Sequence, residues 1–120
     1  MRFVVIASVP MLVFIGAGAS AHAFLDHADP AVGAQVASPP KLLRLWFTET
    51  IEPKFSKVEL MAADGSPMAT GPLALSPSDA SELDLPLAGA LAPGTYKVTW
   101  QVVSTDTHRT QGDFTFEVER

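Results

Sequence analysis

The sequence predicts an all-β domain, a Greek key β-sandwich or small barrel built from several short strands. Two observations carry this prediction. Apolar and polar residues alternate with a period of two in several short segments, as they do in strands with one buried face. Glycine and proline stand between these segments, and no segment shows the sustained 3.6-residue period of an amphipathic helix. Short strands joined by turns are typical of antiparallel sandwiches with at least one longer crossover.

Residues 1–21 are expected to be a secretory signal peptide rather than part of this domain. Arg2 precedes an apolar run from Phe3 to Ile15, and the small residues Ala19-Ser20-Ala21 follow it. A basic start, an apolar middle and a small-x-small end are typical of signal peptides. An uncleaved anchor is the alternative, but Pro10 interrupts the run and a spanning helix needs about 20 apolar residues. We expect cleavage after Ala21 and a mature domain of residues 22–120.

The first strands follow from the alternation. One is predicted from Lys41 to Thr48, with Leu43, Leu45 and Phe47 on one face. Trp46 makes the other face partly apolar, so we expect cover on both faces and place Trp46 in the core. Another is predicted at residues 57–62 and ends at the hairpin-type turn Asp64-Gly65. Residues 83–87 alternate as well, and the proline at position 86 predicts an edge strand there.

The last two strands are the most regular. Tyr96 to Val102 and Phe114 to Val118 each alternate strictly. Pro93-Gly94 forms the turn before the first of them. The turn and the tyrosine after it resemble the tyrosine corner of immunoglobulin-like sandwiches, which favours that outline.

A candidate metal site lies between these two strands, at Asp106 and His108. If the segment is extended, their i, i+2 spacing sends both side chains to the same side. Cleavage after Ala21 would add His22 as the first residue, with an α-amine and an imidazole able to chelate one ion. Three nitrogens and one oxygen suit the tetragonal preference of Cu(II). Zn(II) tolerates the same ligands but prefers a tetrahedral arrangement.

Composition narrows the classes of partner. The formal net charge is −5 and no basic stripe is present, so nucleic acid is not an expected partner. An acidic chain attracts cations. The chain has no cysteine, so it offers no thiolate to a soft metal and no disulfide to support the fold.

The sequence resembles the CopC-type periplasmic copper-binding and copper-resistance proteins over essentially the whole mature chain. The segments that carry the resemblance are His22-Ala23-x-Leu25, Ala28-x-Pro30-Ala31, Leu43-Arg44-Leu45-x-Phe47-x-Glu49, Pro93-Gly94-Thr95-Tyr96-x-Val98-x-Trp100, Val103-Ser104-x-Asp106-x-His108 and Gly112-x-Phe114-x-Phe116-x-Val118. The resemblance implies a Greek key sandwich of about seven strands with a cupredoxin-like outline. It implies one Cu(II) per chain, bound by His22, Asp106 and His108, with Glu49 orienting or charge-balancing the amine-bearing end.

Two departures from the family pattern point to a Cu(II)-only version. Some members carry a second histidine two places after the first, where this chain has Phe24. Some members also have a methionine-rich loop for Cu(I), whereas the mature chain has only Met61 and Met68. Cu(I) prefers soft thioether or thiolate ligands, and this chain offers few of them.

The expected function is that of a periplasmic copper carrier or buffer in copper resistance or delivery, without enzymatic activity or a small-molecule substrate. The resemblance implies an inner-membrane copper importer of the CopD type as partner. A histidine-brace-like copper oxygenase is an alternative, although Asp106 would fill the position that oxygen needs. A metal-free interaction sandwich is another, since folds of this type host many functions.

Overall fold

The computed structural model of the protein describes residues 23–120. The expected signal peptide, its cleavage site after Ala21 and the candidate ligand His22 lie outside the described residues. In the described part of the chain no helix is long and apolar enough to cross a membrane.

The described chain consists of eight β-strands and a single 3-10 turn at Pro53–Phe55, which confirms the all-β prediction. The strands are β1 (Leu25–Asp29), β2 (Gln35–Val36), β3 (Leu42–Phe47), β4 (Lys57–Ala62), β5 (Ala74–Ser76), β6 (Asp79–Pro86), β7 (Gly94–Val103) and β8 (Arg109–Val118). There is one strand more than the expected figure of about seven. Two of the eight, β2 and β5, are only two and three residues long, so they are easily left out of a count made from the sequence.

Two four-stranded sheets form the sandwich. The first has the order β1-β3-β6-β5 and the second the order β2-β8-β7-β4. Every pair is antiparallel except β2 with β8, which is parallel. The chain changes sheets at every connection except those from β5 to β6 and from β7 to β8, so the predicted Greek key sandwich with crossovers is confirmed.

The core lies between the sheets and is built from the alternating residues of each strand. Phe47 of β3 meets Trp100 of β7 edge-on, with ring centroids 5.2 Å apart, a favourable aromatic geometry. Tyr96 and Phe116 stack across β7 and β8 at 5.8 Å. The Tyr96 hydroxyl donates a hydrogen bond to the Ala92 carbonyl at 2.7 Å, which is the tyrosine-corner contact that the sequence indicates.

Trp46 is not part of this core, which corrects one expectation. Its side chain lies half-buried on the outer face of the first sheet. The His27 ring stacks on it with centroids 4.3 Å apart, and the Arg44 guanidinium lies 4.7 Å from its ring centroid. Trp46 is therefore covered by neighbouring side chains on its own sheet, because the strands place both of them next to it on that face.

The prediction of an edge strand from Pro86 is also wrong. Strand β6 is an inner strand, paired with β3 on one side and β5 on the other. Pro86 is the last residue of β6 and lies opposite Leu42. A proline is tolerated there because the ladder ends at that residue and little is lost with its missing N–H group.

Candidate metal centre

Asp106 and His108 lie in the tight turn that joins β7 to β8. The Ser104 N–H group donates to the His108 carbonyl at 3.0 Å, and the Thr107 N–H group donates to the Ser104 carbonyl at 2.8 Å. Thr107 has φ = 73°, in the left-handed region that β-branched residues rarely adopt. The segment is therefore a closed turn and not the extended piece considered from the sequence.

The turn nevertheless brings the two candidate ligands together. His108 Nδ1 lies 3.2 Å from Asp106 Oδ2, and the two side chains are 53% and 40% exposed. Both can therefore be reached by an ion from solvent. An imidazole nitrogen and a carboxylate oxygen at this separation can serve as two ligands of one divalent cation.

Ser104 orders the Asp106 carboxylate. It is 1% exposed, and its hydroxyl donates to Asp106 Oδ1. The His108 N–H group donates to the same oxygen at 3.3 Å. The Ser104 hydroxyl, opposed by partial burial and assisted by His108, holds the pKa of Asp106 below its ordinary value. The carboxylate is therefore charged at neutral pH and available to a cation.

The start of the described chain lies beside this turn. Ala23 is fully buried, and its carbonyl accepts a hydrogen bond from the hydroxyl of Thr110, the second residue of β8. Phe24 and Thr48 exchange two hydrogen bonds of 2.9 Å, one to the Phe24 carbonyl and one to the Thr48 hydroxyl. Ala23 is thus held by Thr110 of the second sheet, two residues beyond His108. Phe24 is held by Thr48, which directly follows β3 of the first sheet.

Glu49 lies between these two held segments. Its neighbour Thr48 bonds Phe24, as above, and its other neighbour Thr50 accepts a hydrogen bond of 3.0 Å from the Thr105 N–H group. The backbone thus brings Glu49, half-buried, to the end of the sandwich that carries the turn. Within residues 23–120 no group of three or more histidine, cysteine, aspartate or glutamate side chains could by itself hold a metal ion. The predicted set draws its third residue, His22, from outside that range.

Two contributors were missed by sequence reasoning, Ser104 and Thr110. The predicted last strand begins at Phe114, whereas β8 begins at Arg109, so Thr110 fell outside the predicted element. The inward-facing series of β8 starts with Thr110 and Gly112 before the apolar residues begin. A threonine at an inward-facing position is a signal that could have been used, since a buried hydroxyl needs a partner.

Comparison of the sequence with known proteins identifies a matching family. The family model described as the CopC domain matches residues 25–119. Protein YobA of Escherichia coli (strain K12) is 41% identical over 99 residues, which cover 82% of this chain and 80% of that protein. Copper resistance protein C of Pseudomonas syringae pv. tomato is 36% identical over 122 residues, which cover 98% of this chain and 94% of that protein.

A solved structure shares the architecture. The crystal structure of CopC from Methylosinus trichosporium OB3b superposes with a TM-score of 0.76 at 33% sequence identity. The match covers 82% of this chain and 94% of that one. The two chains therefore share the sandwich architecture.

Proposed function

The chain belongs to the CopC family, and from this premise we propose that it binds one Cu(II) ion in the periplasm and carries or buffers it. Relatives named for copper resistance give the chain a copper-related function. The oxidation state of the copper, the stoichiometry, the compartment and the ligands are part of what we propose. It includes export and cleavage after Ala21, which would make His22 the first residue.

The observation that carries the proposal is the convergence of the chain start with the Asp106–His108 turn. Consecutive Cα atoms are about 3.8 Å apart, so residue 22 cannot be far from Ala23, whose carbonyl is bonded to Thr110. This supports a site in which the α-amine and imidazole of His22 join the His108 imidazole and the Asp106 carboxylate. Three nitrogens and one oxygen match the tetragonal preference of Cu(II).

Cu(II) is preferred to Cu(I) on the chemistry of the available donors. The methionines of the proposed mature chain are Met61 and Met68. Met61 pairs with Lys97, six residues along β7 from its end at Val103, and Met68 packs against the core. Neither is placed to support the soft thioether ligation that Cu(I) requires. Glu49 would add negative charge beside the amine-bearing end and orient it.

With the proposed ligand set the protein would act as a carrier, because it can bind and release copper without catalysing a reaction. Asp106 would complete the plane around Cu(II) and leave no ready position for oxygen, which argues against a histidine-brace oxygenase. We infer a CopD-type inner-membrane importer as the recipient, on the family resemblance. The exposed side chain of Phe24, next to the proposed first residue, offers apolar surface for such a contact.

The experiment compares two histidine variants of the processed protein in a Cu(II) titration followed by electron paramagnetic resonance. The wild type should take up one equivalent and show a tetragonal signal with nitrogen coupling. His22→Ala should lose most of the affinity. His27→Ala is the matched control, since His27 stacks on Trp46 and is not in the proposed set. Equal losses in both variants, or none in His22→Ala, would contradict the proposed site.

The oxygenase alternative predicts a different result from the same sample. A copper-loaded oxygenase should produce hydrogen peroxide when ascorbate is added in air, whereas a carrier with carboxylate-ligated Cu(II) should not do so above the level of the metal-free protein. Absence of copper uptake would favour the metal-free interaction sandwich.

A further inference from the structure

Thr110 occupies a position where the strand pattern calls for an apolar residue. Phe114, Phe116 and Val118 are buried between the sheets, and Thr110 lies on the same face of β8. It pairs with Val102 of β7, which is fully buried. A hydroxyl at such a position costs free energy unless it is hydrogen-bonded.

The partner of this hydroxyl is a carbonyl 87 residues earlier in the chain, that of Ala23. Ala23 precedes β1, so its carbonyl is not part of the β1–β3 ladder, which begins at Leu25. A buried backbone carbonyl requires a donor, and the Thr110 hydroxyl supplies it. The next residue, Phe24, is bonded to Thr48 through both its N–H and its carbonyl group.

We propose that Thr110 is a positioning residue for copper binding: its hydrogen bond to Ala23 holds the chain start at a fixed distance from the Asp106–His108 turn. The inference rests on the proposed function, because it assigns a role in the same site. Thr110 follows His108 by two residues on the strand that begins directly after it. One strand therefore fixes both the turn and the segment that leads to His22.

The physical reason is preorganisation. A free chain end that must be ordered when the ion binds loses conformational entropy at that moment. A chain end already held by Thr110 has lost that entropy on folding, and the affinity for the ion is correspondingly higher. The anchored residue is Ala23, which directly follows the proposed ligand His22 in the sequence.

The test is a Cu(II) competition titration of the processed protein with Thr110→Val, which keeps the shape of the side chain and removes the hydroxyl. We expect affinity to fall by about tenfold, equivalent to about 1.4 kcal/mol, and the nitrogen coupling of the Cu(II) signal to change. Thr115→Val is the matched control. Thr115 lies on the same strand with its side chain exposed on the opposite face. The Cu(II) affinity and spectrum of Thr115→Val should therefore equal those of the wild type.

Two further variants separate positioning from general stability. Thr110→Ser retains the hydroxyl and should restore affinity and spectrum to within about twofold of the wild type. Thr110→Ala removes the hydroxyl without the bulk of valine and serves if Thr110→Val does not fold. A His22→Ala protein with an acetylated α-amine should be nearly insensitive to loss of the hydroxyl, because neither proposed ligand group of the first residue then contributes.

The outcomes distinguish this inference from the proposed function. If acetylation leaves the wild-type affinity unchanged, the amine-based site is wrong whatever Thr110 does. If acetylation weakens the wild type but hydroxyl-free variants at position 110 bind as tightly and show the same spectrum, the positioning role is overturned. It is also overturned if the His22→Ala protein with an acetylated α-amine loses as much affinity as the wild type on removal of the hydroxyl, since the effect would then be purely structural.

Discussion

The hydroxyl of Ser104 donates a hydrogen bond to Oδ1 of Asp106, two residues further along the chain. Ser104 is almost completely buried at the end of β7, whereas Asp106 is open to solvent. The contact therefore ties a residue that an ion can reach to one that is fixed by the core. Because Oδ1 is held by Ser104, Oδ2 is the oxygen that faces the His108 ring.

Loss of this contact should weaken both copper binding and the fold. We predict that Ser104→Ala lowers Cu(II) affinity several-fold, because the Asp106 carboxylate becomes free to rotate. The free energy of unfolding should fall by about 1 kcal/mol, as for a typical hydrogen bond. Competition titration and chemical denaturation measure the two effects. Ser78→Ala, at an exposed loop position, is the control, and an unchanged affinity in Ser104→Ala would contradict the role of the contact.

The outer face of the first sheet carries a charge cluster that should make stability depend on pH. Arg44 Nε donates to Glu82 Oε2 at 2.8 Å and lies 4.0 Å from Asp84 Oδ1. Glu82 is 2% exposed, and its pKa is lowered chiefly by the bond from Arg44. Burial, and then the neighbouring Glu82 carboxylate, raise the pKa of Asp84 to about 6. The Glu82 carboxyl is therefore stabilised as an anion, whereas the Asp84 carboxyl is not.

The direction of the pH effect follows from the Asp84 value. The folded state binds this proton more tightly than the unfolded chain, whose aspartate pKa is near 3.9. Ionised Asp84 therefore destabilises the fold above about pH 6, and the penalty disappears as pH falls through 6 towards 4. Asp84→Asn should raise the free energy of unfolding by about 1 kcal/mol at pH 8, since some contact with water reduces the full effect.

Denaturation of the wild type and Asp84→Asn between pH 4 and pH 8 checks this prediction. The advantage of Asp84→Asn should shrink as pH falls below 6, because an asparagine amide can donate to Glu82 as a protonated carboxyl does. An advantage that is the same at every pH would contradict the assignment. Asp64→Asn is the control: hydrogen bonds from Ser66 lower the pKa of the Asp64 carboxyl, so this variant should show no advantage that grows as pH rises through 6.

Gly112 provides a test of packing between β7 and β8. A Cβ atom at this position would lie 2.5 Å from Cζ2 of the Trp100 ring, and that ring packs edge-on against Phe47. Gly112→Ala should therefore destabilise the fold by about 1–3 kcal/mol through overpacking and shift the tryptophan fluorescence. Gly89→Ala is the control, since a Cβ there meets no atom within 4 Å. Equal stability of the two variants would contradict the described contact.

Much of the fold could be predicted because the alternation is strong where strands are buried on one face. Tyr96 to Val102 reads clearly as a strand, and the Tyr96 corner followed from local turn chemistry. The pattern failed at Trp46 and Pro86. Trp46 is covered by His27 and Arg44, which reach it only through strand pairing. The inner place of β6, which ends at Pro86, depends on β5, a three-residue strand too short to show a period.

The candidate site was predictable only in part, for a physical reason. The Asp106–His108 pair is local in sequence, and the structure brings the two side chains together. Ser104 is local too, but its role depends on its burial, which the sequence does not reveal. The hydrogen bond from Thr110 to Ala23 spans 87 residues, and no local pattern predicts it. The role of His22 stays a prediction, drawn from processing and from family resemblance.

Two forms of the protein that differ by one residue at the chain start test whether the amine of His22 binds the ion. One begins at His22 and the other retains Ala21, so that its α-amine is displaced from the histidine by one residue. We predict that the first form binds one equivalent of Cu(II). The second form should bind with an affinity at least about 100-fold weaker, equivalent to about 2.7 kcal/mol. Equal affinity of the two forms would contradict a site closed by the amine of His22 on Asp106 and His108.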